Sequence, residues 1–213
     1  MRNRLLPATL FIDKVESPIG AMLLIHDSEE RLRALDFHDY EPRMRRLLRV
    51  QWGQDGCDFV IKNRPAPSVT RNALAGYFAG NLTMIDAVPV TTAGTSWQRD
   101  VWARLREIRP GMTLSYGALA RKLGHPNSVR AVGLANGANP IAIVVPCHRV
   151  IGTDGSLSGY GGGISRKRWL LTHEGADFDD KDGRAHSARR AKTPLRSKSL
   201  SKASEKRLMS ERF

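Results

Sequence analysis

The chain has 213 residues, 41% of them hydrophobic, and a formal net charge of +13 at pH 7. That is enough apolar material for one large domain or two small ones, and the charge favours an anionic partner, nucleic acid ahead of a membrane surface. Two cysteines, Cys57 and Cys147, exclude a disulfide framework and a four-cysteine metal site, and no run approaches the ~18 apolar residues of a spanning helix.

The opening MRNRLLPATLFIDK is basic but lacks a long apolar region and a small-residue cleavage site, so a reducing cytoplasm is the expected location. Ser17-Pro18-Ile19-Gly20 reads as a turn between apolar runs at 10–12 and 21–25, and residues 31–37 alternate; residues 8–37 are predicted as antiparallel strands. Residues 41–52 carry a helical pattern, with Met44, Leu47 and Leu48 on one face and Arg43, Arg45, Arg46 and Arg49 solvated. Residues 68–79 predict a second helix. Strands followed by helices make residues 1–90 an α/β N-terminal domain.

Residues 91–95 read as a linker into a second domain over 91–175. Residues 96–108 predict a helix with Trp97, Val101, Leu105 and Ile108 on one side and Thr95 or Ser96 as its cap. Residues 116–123 and 128–136 predict two short helices across a Gly-containing turn, the second capped by Asn127. This spacing fits a DNA-binding helix-turn-helix and equally an ordinary helical corner. Ile141-Ala142-Ile143-Val144-Val145 predicts a buried strand, and a glycine-rich loop fills 152–163. Residues 165–173 predict a last helix with Arg166, Lys167 and Arg168 exposed. From 176 to 213 the periodicity fades into a basic tail, expected to be disordered. Residues 184–213 alone hold ten Lys/Arg and two Glu, a net of +8, leaving +5 for the rest. The tail either raises non-specific DNA affinity through counterion release or is a solvated extension.

Chemistry concentrates at Pro146-Cys147-His148-Arg149-Val150. A cysteine at a strand end is either a buried small hydrophobe or a nucleophile. Pro146 ends the strand, so Cys147 is expected at its edge. His148 offers a base, and Glu174, at the end of the last helix, a carboxylate to orient it. Side chains of adjacent residues point apart, so a Cys147–His148 link calls for a bridging water. Arg130 is the lone Lys, Arg, Asp or Glu between Lys122 and Arg149, among Ala131, Gly133, Ala135, Gly137 and Ala138. Either that lean helix lets Arg130 approach a duplex closely, or the small residues serve helix packing and Arg130 is solvated.

Residues 96–175 resemble the C-terminal domain of the O6-alkylguanine-DNA alkyltransferases, also called methylated-DNA–protein-cysteine methyltransferases. The matching segments include Trp97-Gln98-Arg99-Asp100-Val101-Trp102, Ser115-Tyr116-Gly117-Ala118-Leu119-Ala120, Val129-Arg130-Ala131-Val132-Gly133 and Asn136-Gly137-Ala138-Asn139-Pro140-Ile141. They continue with Pro146-Cys147-His148-Arg149-Val150, Gly159-Tyr160-Gly161-Gly162-Gly163 and Trp169-Leu170-Leu171-Thr172-His173-Glu174-Gly175. Ser17-Pro18-Ile19-Gly20 and Tyr77-Phe78-Ala79-Gly80 extend the likeness to the bacterial form over residues 8–175.

The resemblance implies a ribonuclease H-like α/β N-terminal domain and a mostly α C-terminal domain with a winged-helix-like helix-turn-helix. It implies a monomeric, cofactor-free repair enzyme acting on double-stranded DNA that carries O6-alkylguanine, with O4-alkylthymine as a second candidate. The base is flipped from the stack and its alkyl group passes once and irreversibly to Cys147. By the same resemblance His148 is the base, Glu174 orients it, and Asn139 shapes the bend beside the thiol. Tyr116 helps rotate the nucleotide out and donates to the departing guanine. Arg130 fills the vacated stack, with Ser115, Ala131 and Gly133 also on the DNA face. Tyr160, Val150, Gly161 and Gly162 line the pocket. Animal relatives carry a zinc site, but here Cys57, His26 and His38 have the wrong spacing, so no metal is expected. Two rival readings are a lesion-binding protein without catalysis and a thiol hydrolase; no oxyanion site supports the latter.

Overall fold

The computed structural model describes residues 8–52 and 59–180. Cys57 and residues 181–213 of the basic tail lie outside the described residues.

Strands β1 (Ala8–Val15), β2 (Met22–His26) and β3 (Leu32–Phe37) form the predicted antiparallel set. Their first turn is tied by Ser17 Oγ donating to the Gly20 carbonyl at 2.5 Å, with Gly20 at φ +108, a backbone setting that favours glycine. Helix α1 (Glu41–Trp52) then crosses to β4 (Phe59–Asn63), which pairs parallel with β1, giving the order β3-β2-β1-β4. The sequence does not mark β4: it is five residues long, ends in the polar pair Lys62-Asn63 and lies at the sheet edge, so no periodicity singles it out.

Successive strand residues face opposite sides of the sheet. Leu23 and Ile25 pack with Leu10, Ala34, Met44 and Leu48 under α1. Met22 and Leu24 face the other way, into the main core with Leu35 and Phe37. All five residues of β2 are buried because both faces are covered. Helix α2 (Ser68–Phe78) adds Ala73, Leu74 and Tyr77 to that main core.

Helix α3 (Ser96–Arg106) starts from a capping box between Thr95 and Gln98. Val101 and Leu105 are buried as predicted, and so is Trp102, which the predicted stripe omitted. The indole N–H groups of Trp97 and Trp102 donate to the carbonyls of Ala131 and Ala135, at 3.3 and 2.9 Å. These bonds, one turn apart, clamp α3 along α5 (Val129–Gly137). Between them, α4 (Tyr116–Lys122) is capped by Ser115 Oγ, which accepts from the Ala118 amide at 3.1 Å. The α5 start differs from expectation: Ser128, not Asn127, holds the cap position, and no side chain caps the helix.

The apolar run 141–145 is not a strand. Ile141 makes one bridge to Leu35, then the chain curls. The Val144 and Val145 amides donate to the Ala142 and Ile141 carbonyls, at 2.7 and 3.1 Å, and Ile143 has φ +66. Its all-apolar character reflects burial from every side, which periodicity cannot separate from a buried strand. A two-stranded pair of β5 (Leu114–Ser115) and β6 (Val150–Ile151), and α6 (Ile164–His173), complete the second part. One core cluster runs through both parts, from Met22 and Tyr77 to Val101, Val132 and Leu170. Order also extends past 176: the Asp179 amide donates to the Gly155 carbonyl at 2.8 Å.

Candidate active site

Asn139 makes the bend that presents Cys147. Its amide nitrogen donates to the carbonyls of Val145 (2.8 Å) and Ile141 (3.3 Å), and its oxygen accepts from the Ile141 amide (3.0 Å). This three-bond clasp stabilises a turn containing a β-branched residue in the left-handed region, a conformation costing on the order of 1–3 kcal/mol. Pro146 follows, and Cys147–Arg149 form a single 3-10 turn. Because 141–145 curls inward, Cys147 is recessed, 6% exposed, rather than displayed at a strand edge.

Behind the thiol lies a buried ionic knot. Glu174 Oε1 accepts from the Tyr77 hydroxyl (2.7 Å) and Arg149 Nη2 (2.8 Å) and lies 2.9 Å from His148 Nε2; Oε2 accepts from Arg149 Nε (2.8 Å). Arg149 also donates to the Ile108 carbonyl at 2.5 Å. Burial alone would raise the Glu174 pKa, but His148 and Arg149 outweigh it and hold the carboxyl well below the usual carboxylate range. An ionised carboxylate only accepts hydrogen bonds, so His148 must present N–H at Nε2. Its Nδ1 then carries the lone pair, and that atom is buried with no hydrogen-bond partner among the described residues. Burial lowers the His148 pKa, with Glu174 opposing, so the imidazole is neutral near pH 7 and able to take a proton.

Burial raises the Cys147 pKa; Asn139, Arg43 and Lys167 work against it. The resting pair is therefore thiol and neutral imidazole. Reaction of Cys147 with iodoacetamide should be slower at pH 7 than that of an unhindered cysteine, and its rate should still be climbing above pH 9. A plateau reached below pH 8, read by mass spectrometry of the modified peptide, would contradict this.

Lys167 was expected to be exposed, yet it is fully buried. Its ammonium donates to the carbonyls of Val150 and Ser158, each at 2.6 Å. Burial lowers its pKa to about 8, with Cys147 opposing. The Arg166-Lys167-Arg168 run suggests a solvated face, but Lys167 shares a helical stripe with Leu170, Leu171 and Glu174, and that spacing was the available signal. Arg149 and Tyr77 were likewise not assigned from sequence. Arg43 was expected to be solvated on α1. It bonds buried Asp36 and donates to the carbonyls of Gly137 (2.8 Å) and Asn139 (3.3 Å), joining α1 to the bend.

Two unpartnered polar atoms lie near the thiol. Besides His148 Nδ1, the Tyr160 hydroxyl is buried without a hydrogen bond among the described residues, while the side chains of Ser158 and Asn136 are hydrogen-bond partners of the Tyr116 hydroxyl. The Tyr160 ring lies edge-on to His148, centroids 6.4 Å apart. Tyr116 lies close enough to Ser158, Asn136 and Cys147 to feel each of them, and burial raises its pKa. Asn136 Nδ2 donates to the Cys147 carbonyl at 3.4 Å. Buried polar atoms are nearly always paired, so the free His148 Nδ1 and Tyr160 hydroxyl near one thiol suit a polar ligand.

The other predicted residues separate. Tyr116 rests over Gly133, where a β-carbon would sit 3.9 Å from its ring. Arg130 is exposed on α5 with no ion pair among the described residues. On the same helix Val129 and Leu134 are 41% and 71% exposed. Ser115 is spent as a helix cap, and Ala131 receives the Trp97 indole. At Gly161 and Gly162 β-carbons would lie 2.6 Å from Arg43 and 2.5 Å from Phe37, so their smallness lets the N-terminal part close against this loop. Val150 is in the core, and its carbonyl serves Lys167. Among the described residues no group of three or more His, Cys, Asp or Glu could hold a metal.

Residues 96–176 match the family model of the 6-O-methylguanine DNA methyltransferase DNA-binding domain. A methylated-DNA–protein-cysteine methyltransferase of Salmonella typhimurium is 48% identical over 166 residues, 78% of this chain and 96% of that one. One from Mycobacterium tuberculosis is 48% identical over 162 residues, 75% of this chain and 89% of that one. The crystal structure of Mycobacterium tuberculosis OGT in complex with DNA superposes with a TM-score of 0.64 at 41% identity, covering 78% of this chain and 92% of that one.

Proposed function

The chain belongs to the methylated-DNA–protein-cysteine methyltransferase family, and from that premise we propose that Cys147 is the atom that accepts the alkyl group from O6-alkylguanine in DNA. The chain is a DNA-repair alkyltransferase, and DNA is its partner. The observation that carries the assignment is His148, held through Nε2 by an ionised Glu174 and, among the described residues, unpartnered at Nδ1, next in the chain to a recessed thiol.

The step balances as follows. The Cys147 proton passes to His148 Nδ1, across a bridging water because adjacent side chains diverge. The thiolate attacks the alkyl carbon in line with O6, forming the C–S bond as the C–O6 bond breaks. The electron pair leaves with guanine, whose developing charge is met by the Tyr116 hydroxyl; the proton returns from the imidazolium to the base. The product is a thioether that no nearby group can cleave, so each chain acts once. With excess tritiated O6-methylguanine duplex, label should plateau at one equivalent per chain, on the Cys147 peptide. More than one equivalent, or label elsewhere, would overturn the assignment.

O6 lies inside the paired stack, so the base must be extruded at a cost of a few kcal/mol. In this reading Arg130, exposed on the lean α5 and without an ion pair among the described residues, occupies the gap, and the exposed Leu134 one turn on adds apolar surface. Arg130→Ala should slow transfer from duplex DNA roughly tenfold or more, about 1.4 kcal/mol per tenfold, while transfer from free O6-alkylguanine base is unchanged. Equal slowing on both substrates would remove Arg130 from base extrusion.

Finer structural readings rest on the same footing. A β3-β2-β1-β4 sheet with β4 parallel to β1 supports a ribonuclease H-like N-terminal domain near 1–90. The α4–α5 pair beside β5 and β6 supports a winged-helix-like unit over 91–175, acting as a monomer.

A further inference from the structure

The loop 152–158 leads from β6 to the recess and carries Ser158, which stands beside Tyr116. From inside, Lys167 holds the Ser158 carbonyl. Within the loop, Gly152 N–H donates to the Ser156 carbonyl at 2.8 Å, and Asp154 Oδ1 accepts from Ser156 Oγ at 2.6 Å. From outside, residues 176–180 lie along the loop tip. The Asp179 amide donates to the Gly155 carbonyl at 2.8 Å, and Asp179 forms a parallel bridge with Ser156. A β-carbon on Gly155 would come within 3.3 Å of the Asp179 side chain, and Gly155 sits at φ +80. The far end of this segment is fixed to α6. Arg168 Nε and Nη2 donate to the two oxygens of Asp180 at 2.8 and 2.9 Å, a bidentate pair of defined orientation, with Asp180 only 13% exposed. Thr113 Oγ1 donates to the Asp177 carbonyl at 3.4 Å. The match to the family model ends at residue 176, just before this strap.

We infer that the strap 177–180, locked by the Arg168–Asp180 pair, positions loop 152–158 against the base recess and thereby sets how large an alkyl group the site accepts. The loop reaches the recess through Ser158 and is held on its outer side by the strap. Freeing the strap removes the loop's outer support and keeps the inner one from Lys167. The recess then opens more readily to a bulky substituent, while the alignment of a small methyl group between thiol and leaving oxygen is degraded. Arg168 and Asp180 are positioning residues: neither touches the thiol.

This rests on the alkyl-transfer reading above. The test measures single-turnover rates on duplexes carrying O6-methylguanine or O6-benzylguanine, for the full chain and for Asp180→Asn, Asp180→Glu and a deletion of residues 184–213. Asp180→Asn should raise the benzyl-to-methyl rate ratio about threefold or more at unchanged Tm. Asp180→Glu, which keeps the charge, and the deletion, which keeps the strap, should hold the original ratio. An unmoved ratio in Asp180→Asn, or a loss of both rates by one common factor, overturns the strap's role. Failure of the unaltered chain to form any Cys147 adduct would overturn the alkyl-transfer reading instead.

Discussion

Cys147→Ser should abolish alkyl transfer while leaving recognition of the damaged duplex intact. The displacement takes place at a carbon bonded to oxygen, and it needs a soft nucleophile that ionises when a neutral imidazole takes its proton. A serine hydroxyl in the same recess keeps its proton far more strongly, and His148, whose pKa burial lowers, is too weak a base to remove it. The loss should be on the order of a thousandfold or more, the scale on which deleting a nucleophile acts in other covalent sites. The binding surface proposed above, by contrast, consists of α4, α5 and the recess walls, none of which depends on sulfur. Intact-mass spectra after exposure to an O6-methylguanine duplex should show one added methyl in the unaltered chain and none in the variant, with similar duplex affinity by fluorescence anisotropy. An adduct of equal yield in the variant would place the acceptor elsewhere. A lesion-binding protein without catalysis would show no adduct in either form.

Glu174→Ala should be the most destabilising single change in the site. The carboxylate is buried and answers Arg149 twice, His148 once and Tyr77 once. Removing it strands a buried guanidinium, and breaking a buried ion pair from one side typically costs about 3–5 kcal/mol. The pH dependence has a defined sign. The folded carboxyl titrates well below the usual range, so its contribution is present above the unfolded value of about 4.3 and is lost as pH falls through the folded one. Urea melts between pH 3 and 7 should show the unaltered chain losing stability toward acid, with a shallower acid limb in the variant. A loss under 1 kcal/mol at pH 7 would mean that the ionic knot contributes little to holding the fold.

Much of this arrangement was legible in the sequence. Helices α1, α3 and α6 carry 3.6-residue stripes, and the Pro146–Val150 run with Glu174 pointed to the His148–Glu174 contact that the structure forms. What escaped reading did so for physical reasons. Burial on all sides makes a curled apolar segment indistinguishable from a strand, and this hid the turn at 141–145 and with it the recession of the thiol. A buried lysine between two arginines looks like a solvated cluster until its partners, two backbone carbonyls, are seen. At Gly161 and Gly162 sequence does not reveal that Arg43 and Phe37 come from 118 and 125 residues away to lie where a side chain would project. Long-range partners of this kind, Tyr77 with Glu174 among them, carry no local signature.

That last contact bears on how the two halves can be recombined. The hydroxyl of Tyr77, on α2, is a donor to the carboxylate that fixes the imidazole. The front half of the chain is therefore wired into the proton relay proposed for the back half. A chimera that grafts a foreign front half onto this back half will inherit a working relay only if its graft delivers a phenol, or an equivalent donor, to the same oxygen.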